Sequence, residues 1–328
     1  MDGEGRSKQP EPDPTGGPGP GWLPAKVRGE AGELMLDWAW FGRQRLTEPF
    51  YEESLAKAAG GAGRRVSTPL AALADQPAAP AALEPSGLIF HMSRCGSTLV
   101  SQMLAACEAN IVVSEAPPID GVVRSGLPDA DRVALLRAMA RALGQVRNPG
   151  ETRLFVKLDS WHARALPLFR AAFPATPWVF LYREPSAVMV SHARRVGMQM
   201  VSELVPPAFY GLGAEGRTWG EDYVAQVLGA TCAAAAQGYA SGGGLLVNYD
   251  ELPQALGTRI LPHFGVTPAP QEIEAMARTA RFDAKAPGAP FIPDVEAKRS
   301  AATPEIDAAV QRHLAEVYAR LEGLRGTP

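Results

Sequence analysis

Between residues 87 and 249 the chain alternates five short runs that are apolar on almost every residue with longer segments of helical period, and this alternation leaves few architectures open. The runs fall at 87–91, 110–113, 153–156, 178–182 and 245–249. Strands buried on one face only would alternate apolar with polar; runs apolar on both faces are the mark of parallel strands covered on either side. Helices are expected at 98–107, 129–143, 161–173, 185–195 and 220–239, the second with a clean stripe of Val133, Leu136, Met139, Ala140 and Leu143. The expected fold is therefore α/β, a parallel sheet with helices on both faces, and its ligand loops lie at the carboxyl ends of the strands.

Outside that region the texture differs. Residues 1–21 are Pro, Gly and charge, too poor in apolar side chains to offset the entropy of ordering, and are expected to be a disordered tail. Residues 22–63 carry Trp38, Trp40, Phe41, Phe50 and Tyr51 and read as a small N-terminal subdomain. Residues 64–86, punctuated by Pro69, Pro77, Pro80 and Pro85, read as a linker to an α/β domain over 87–328. Hydrophobic residues are 46% of the 328, and 32 basic against 35 acidic side chains give a formal charge of −3, so nucleic acid is not expected as a bulk partner. Cys95, Cys107 and Cys232 have neither disulfide-framework nor zinc spacing. The polar, acidic N-terminus and the lack of any long apolar run lead to the expectation of a soluble, cytoplasmic protein that does not engage a membrane. Oligomeric state is left open.

The segment His91-Met-Ser-Arg-Cys-Gly-Ser-Thr98 carries the most chemistry. A buried strand runs into a tight loop and straight into an apolar helix, so backbone N–H groups and the positive helix end converge where a phosphate or sulfate would sit. It is not a Walker A loop: Gly and Lys are required where His91 and Ser97 stand, and only Gly96 and Thr98 are kept. A tyrosine-phosphatase loop would place Arg where Ser101 stands, so Cys95 reads as a small loop residue rather than a nucleophile.

This loop, SRCGSTL, resembles the 5′-phosphosulfate loop of sulfotransferases that use 3′-phosphoadenosine 5′-phosphosulfate (PAPS), with Arg94 in the basic position and Cys95 in place of the common Ser. Leu181-Tyr-Arg-Glu-Pro-Ser-Ala-Val-Met-Val-Ser191 resembles the same family's 3′-phosphate element, in which a strand ends in Arg and a Ser follows eight residues on in the next helix. Val247-Asn-Tyr-Asp-Glu-Leu252 and Phe155-Val-Lys-Leu-Asp-Ser-Trp-His162 resemble two further segments of that frame. The resemblance covers roughly 87–264.

It implies a P-loop-like fold and transfer of a sulfuryl group from PAPS to an acceptor hydroxyl or amine, leaving adenosine 3′,5′-bisphosphate and requiring no metal. It also implies that Arg94, Cys95, Gly96, Ser97, Thr98, Arg183 and Ser191 hold the donor, with Arg94 and Lys157 on the leaving side. For the base it offers Glu115, 21 residues after Arg94, ahead of Asp159, which stands where the cytosolic small-molecule enzymes carry a catalytic His. Two readings from other classes stay open: an ATP-dependent P-loop-type kinase, which lacks its lysine and an evident magnesium-binding Asp pair, and a nucleotide-binding interaction protein without catalysis.

Overall fold

The computed structural model describes residues 18–30, 32–62, 65–75, 82–213, 218–285, 289–290 and 301–326; most of the segment read as a disordered tail, residues 1–17, lies outside them. The aromatic N-terminal stretch builds an antiparallel sheet. Strands β1 (Trp22–Glu30) and β2 (Glu33–Trp40) pair as a hairpin, helix α1 (Tyr51–Ala62) follows, and β3 (Arg65–Pro69) returns to the other side of β2. β3 falls inside the segment read from its prolines as a linker; Pro69 sits at the last position of this edge strand, where a missing N–H costs no ladder bond. A four-residue helix, α2 (Ala72–Asp75), follows.

The main sheet is built from β4 (Pro85–His91), β5 (Asn110–Ser114), β6 (Arg153–Lys157), β7 (Trp178–Tyr182) and β8 (Gly244–Asn248), all parallel, in the order β5-β6-β4-β7-β8. Helices α3 (Ser97–Ala105), α4 (Pro117–Val123), α5 (Asp129–Leu143), α6 (Leu166–Ala172), α7 (Pro185–Arg194) and α8 (Gly220–Tyr239) connect the strands and flank the sheet. α9 (Pro270–Thr279), α10 (Pro304–His313) and α11 (Ala315–Arg325) complete the chain. The expected helix over 161–173 is instead a 3₁₀ turn, Ser160–Ala165, followed by α6, because Pro167 in the first turn of α6 has no N–H to continue a helix from upstream. At the sheet centre Phe90 meets Phe169 and Trp178 edge to face, with centroids 5.5 and 5.9 Å apart.

The strand order puts the switch point at β4. From there the chain runs outward to β5 and back through β6, then crosses to β7, so the carboxyl ends of β6, β4 and β7 open side by side. The N-terminal subdomain is fastened to this body by side-chain hydrogen bonds, from buried Gln145 and half-buried Arg45. Gln145 accepts from the Gly21 N–H at 3.0 Å and donates to the Trp22 carbonyl at 2.8 Å, and Arg45 donates to the carbonyls of Ala105 and Cys107 at the end of α3. A cation there also opposes the negative end of the helix.

Close packing at the seam fixes one residue type. Gly121, inside α4, faces β1, and a Cβ on it would meet the Val27 Cβ at 2.5 Å. Gly121→Ala is therefore expected to destabilise the protein by about 1–3 kcal/mol through overpacking, despite the gain in helix propensity. Gly257, whose Cβ would enter open space, is the control: Gly257→Ala should be neutral or slightly stabilising. Urea denaturation of the two variants measures the difference.

Candidate functional site

Three strand ends and one loop supply the site. After His91 the backbone takes left-handed conformations at Ser93 (φ 86°), Arg94 (φ 53°) and Gly96 (φ 83°) before α3 begins at Ser97. Two consecutive left-handed residues other than glycine are costly, and the surroundings hold them: Ser93 N–H donates to His91 Nδ1 at 3.1 Å, and the Cys95 thiol donates to the Leu181 carbonyl at 3.0 Å. Gly96 is required twice over, because a Cβ there would also strike Leu252 at 2.7 Å and Tyr249 at 2.9 Å. The first-turn N–H groups of α3 have no acceptor within the helix and open onto the same cleft as the loop.

Beneath the loop, Lys157 at the end of β6 is completely buried. Its ammonium donates to Glu115 Oε1 at 2.5 Å and to Thr98 Oγ1 at 3.4 Å, and it lies 4.9 Å from the centre of the Phe50 ring. Glu115 follows β5 in a left-handed conformation (φ 53°), and its N–H donates to the Lys157 carbonyl at 2.8 Å, so sheet register itself brings the two together. His91 completes the cluster, with Nε2 3.0 Å from the Leu158 carbonyl and 3.3 Å from Glu115 Oε1. Because Nδ1 accepts from Ser93, the proton is on Nε2 and the ring is neutral; burial lowers its pKa in agreement. His91 is thus a donor to Glu115, and it has no lone pair left for a substrate proton.

The two candidate carboxylates are pushed in opposite directions. Burial works against ionisation of Glu115, but the Lys157 ammonium and His91 together hold its carboxyl well below the usual carboxylate range. Asp159, two residues beyond Lys157, is raised well above its ordinary value by burial, then by the charges of Glu115 and Asp120. Its nearest basic group is His162 Nδ1 at 3.7 Å, and it lines the cleft. His162 gives its other nitrogen to Asp120 at 3.0 Å, and Asp120 also accepts from Trp161 Nε1 at 2.7 Å and from Arg124. Asp120, Asp159 and His162 lie close enough to share a cation, with donor atoms within 4.8 Å of one another, but Asp120 is already satisfied by the Arg124 guanidinium, which would repel one.

Arg183 and Ser191 line the same cleft from the β7 side. Arg183 is buried and its guanidinium lies 3.9 Å from the centre of the Tyr249 ring, so the two segments LYREPSAVMVS and VNYDEL meet face to face. Ser191 projects from α7, whose start is capped by the Glu184 carboxylate accepting from the N–H groups of Ser186 and Ala187. The residues singled out in sequence therefore assemble around one cleft of about 660 Å³, with Lys157 under its floor. Cys95 is completely buried and its thiol is pushed up to about 11 by burial, as a packing residue would be and a nucleophile would not.

Sequence reasoning missed three contributors. Lys285, in the segment after α9, lines the cleft, and burial, then Arg94 and Lys157, push its ammonium down to about 8 although part of the side chain is exposed. Phe50 lies between two ammonium groups, 4.9 Å from that of Lys157 and 5.9 Å from that of Lys285. Arg195 lines the cleft next to Arg94, whose guanidinium donates to its carbonyl at 2.8 Å. No motif marks any of them; Lys285 and Phe50 are brought in by chain segments that only the fold places here, and Arg195 stands just beyond the helix that carries Ser191.

No protein-family model matches the chain, and no curated protein matches it in sequence. Solved structures resemble it more loosely. A sulfotransferase domain from the curacin biosynthetic pathway is 16% identical, the match covering 74% of this chain and 98% of that one, with a TM-score of 0.44. A sulfotransferase from Alicyclobacillus acidocaldarius is 14% identical over 74% and 96% of the two chains, with a TM-score of 0.44. Sulfotransferase STF9 from Mycobacterium avium is 13% identical over 83% and 82%, with a TM-score of 0.47.

The Lys157–Glu115 pair makes a stability prediction independent of any ligand. Glu115→Ala leaves a fully buried ammonium without its carboxylate and should cost about 3–5 kcal/mol, whereas Glu115→Gln keeps an oxygen for Lys157 and should cost much less. The Glu115 carboxyl titrates lower in the folded than in the unfolded protein, so its contribution is complete above the unfolded value and is lost as pH falls through the folded one. Denaturant titrations at pH 7 and pH 3 should show the gap between wild type and Glu115→Gln narrowing in acid.

Proposed function

We propose that the protein transfers a sulfuryl group from PAPS to an acceptor hydroxyl or amine. One observation carries this reading: Arg94, Arg195, Lys157 and Lys285 stand in one another's repulsive fields around a helix start, with Glu115 engaged by Lys157 beneath them. Such an arrangement is costly when empty and is relieved by a multiply charged anion. Arg183 on Tyr249 and Ser191 on α7 supply a second anion position on the β7 side, as the 3′-phosphate of that donor requires. Support also comes from the sequence resemblance of the SRCGSTL loop and the Arg183–Ser191 spacing.

PAPS supplies an electrophilic sulfur: its bond to the 5′-phosphate oxygen breaks with the electron pair staying on phosphate while the acceptor oxygen or nitrogen bonds to sulfur and gives up its proton. The chain's task is to hold the donor, take that proton and stabilise the departing phosphate. The α3 N–H groups, Ser97 and Thr98 cradle the 5′ side, and Arg94 and Lys285 face the charge that develops there. Lys157, fixed by Glu115 and Thr98, adds a cation from below.

For the proton, the environment favours the reverse of the order expected from sequence. Glu115 Oε1 is occupied by Lys157 and His91, and its basicity is depressed; Asp159 is raised in basicity and lines the cleft. Glu115 is engaged by Lys157 and His91 and Asp159 binds a proton more readily, so Asp159 accepts the proton and Glu115 stays ionised to hold Lys157. In single turnovers with preloaded PAPS, Asp159→Asn should slow transfer by roughly 10²–10⁴-fold while bisphosphate binding persists, and Glu115→Gln should lose less. The opposite ranking returns the base to Glu115.

Binding of the donor product tests the reading directly. Adenosine 3′,5′-bisphosphate without added metal should raise the melting temperature, and Arg183→Ala should weaken its binding by about 1.5–3 kcal/mol. Stabilisation by Mg·ATP alone would instead favour a kinase. Affinity should also depend on pH with a defined sign. A bound anion favours the charged form of Lys285, so affinity is level below about 8 and weakens as pH rises through that value. His192 and Cys95, displaced to about 3 and about 11, do not titrate in that window, and Lys285→Arg should flatten the profile in calorimetry.

A further inference from the structure

The cleft has a second character that a nucleotide donor does not explain. Six large apolar side chains stand well exposed among the described residues, and three of them, Val196 (59%), Met198 (54%) and Phe282 (44%), line this one mouth. Exposed apolar groups are ordinarily scattered singly, and a cluster at a cleft marks a binding surface. The lining continues inward with Phe50 and Trp161, from separate parts of the chain, so that apolar surface reaches the aromatic ring that lies over Lys157.

Polar and charged groups on the same wall narrow what fits. Gln199 is 6% exposed and lines the cleft, yet its side-chain Nε2 has no acceptor among the described residues. A buried donor left unmet is costly, and a ligand oxygen would satisfy it. Its neighbour Gly197 leaves room for that amide, since a Cβ there would run into it. Glu52 and Glu53, exposed in the first turn of α1, also line the cleft and oppose any second anion.

We propose that the acceptor is an uncharged aryl or alkyl alcohol, whose hydrocarbon body lies over Val196, Met198 and Phe282 and whose oxygen takes the Gln199 amide hydrogen. This rests on the sulfuryl-transfer reading above. A sugar would leave the apolar wall uncovered, and an acidic glycan would meet Glu52 and Glu53; an apolar alcohol satisfies the wall, the amide and the charge together.

The test uses a dead-end complex, so that binding is read apart from turnover. With the full-length protein saturated in adenosine 3′,5′-bisphosphate, 4-ethylphenol and 2-naphthol should bind saturably and at least about tenfold tighter than glucose or 4-hydroxybenzoate, whose carboxylate tests the acidic rim. Met198→Asp, at an exposed position that folding tolerates, should weaken the phenols by about tenfold or more and leave bisphosphate affinity unchanged. Leu204→Asp, on an equally exposed side chain away from the cleft, should change neither. Gln199→Leu should weaken 2-naphthol while leaving naphthalene binding intact. Equal or better binding of glucose or 4-hydroxybenzoate, no phenol binding, or indifference to Met198→Asp overturns the proposal. Failure of the bisphosphate to bind removes the donor reading instead, so the two outcomes are distinct.

Discussion

A completely buried ammonium is the constraint around which this site is built. Lys157 needs a carboxylate, and Glu115 is delivered to it by the pairing of β5 with β6, carried one residue beyond the strand by a left-handed turn and a hydrogen bond to the Lys157 carbonyl. Thr98 reaches the ammonium from the first turn of α3 and the Phe50 ring from the N-terminal subdomain, while His91, at the end of β4, contacts the Glu115 carboxylate. Five segments therefore meet at this ion pair. A buried ion pair is weak evidence for stability, since desolvation offsets most of its attraction, but it is strict about geometry, because any partner moved away leaves a charge unmet. What the pair secures is the relative placement of the loop, three strand ends and the small sheet.

The same pair explains why two carboxylates so close to each other behave differently. Glu115, in contact with Lys157 and His91, is held ionised, and its negative charge together with that of Asp120 raises Asp159. Two carboxyls that differ by one methylene are thus driven in opposite directions by what surrounds them. His162 sits between Asp159 and Asp120, its Nε2 against Asp120 and its Nδ1 toward Asp159. The position where the resemblance leads one to expect an imidazole is thus a carboxyl with an imidazole behind it.

Much of this was legible before any coordinates. The five strands were marked by runs apolar on both faces, and the helices Asp129–Leu143 and Gly220–Tyr239 by their period, because in a parallel sheet covered by helices burial is written into each short segment separately. The turn from β4 into α3 was legible for a related reason: a tight strand-to-helix loop is local, and Ser93–Gly96 contains all of its left-handed backbone. What failed to show was everything non-local. β3 was hidden by its prolines, since an edge strand ending in Pro69 looks like a linker until the partner strand is known. Lys285 and Phe50 lie 235 residues apart in the chain and meet across the cleft; neither sits in a pattern that distinguishes it from the other lysines and phenylalanines. The different surroundings of the two carboxylates were also out of reach, because they depend on which oxygen Lys157 and His91 occupy.

These contacts bring the N-terminal subdomain to the cleft. Phe50, immediately before α1, packs between the ammonium groups of Lys157 and Lys285, and Glu52 and Glu53 begin the helix beside it. The subdomain thus brings an aromatic face to the cations of the floor and a negative rim to the mouth. An aromatic face attracts cations without competing with an anionic ligand for their charge, as a carboxylate in the same place would. The acidic side chains are displaced one helical turn away, where they act on whatever enters from outside. The strand ends and the loop belong to the body of the protein; the small subdomain adds to the same cleft a side that carries an aromatic ring and two carboxylates.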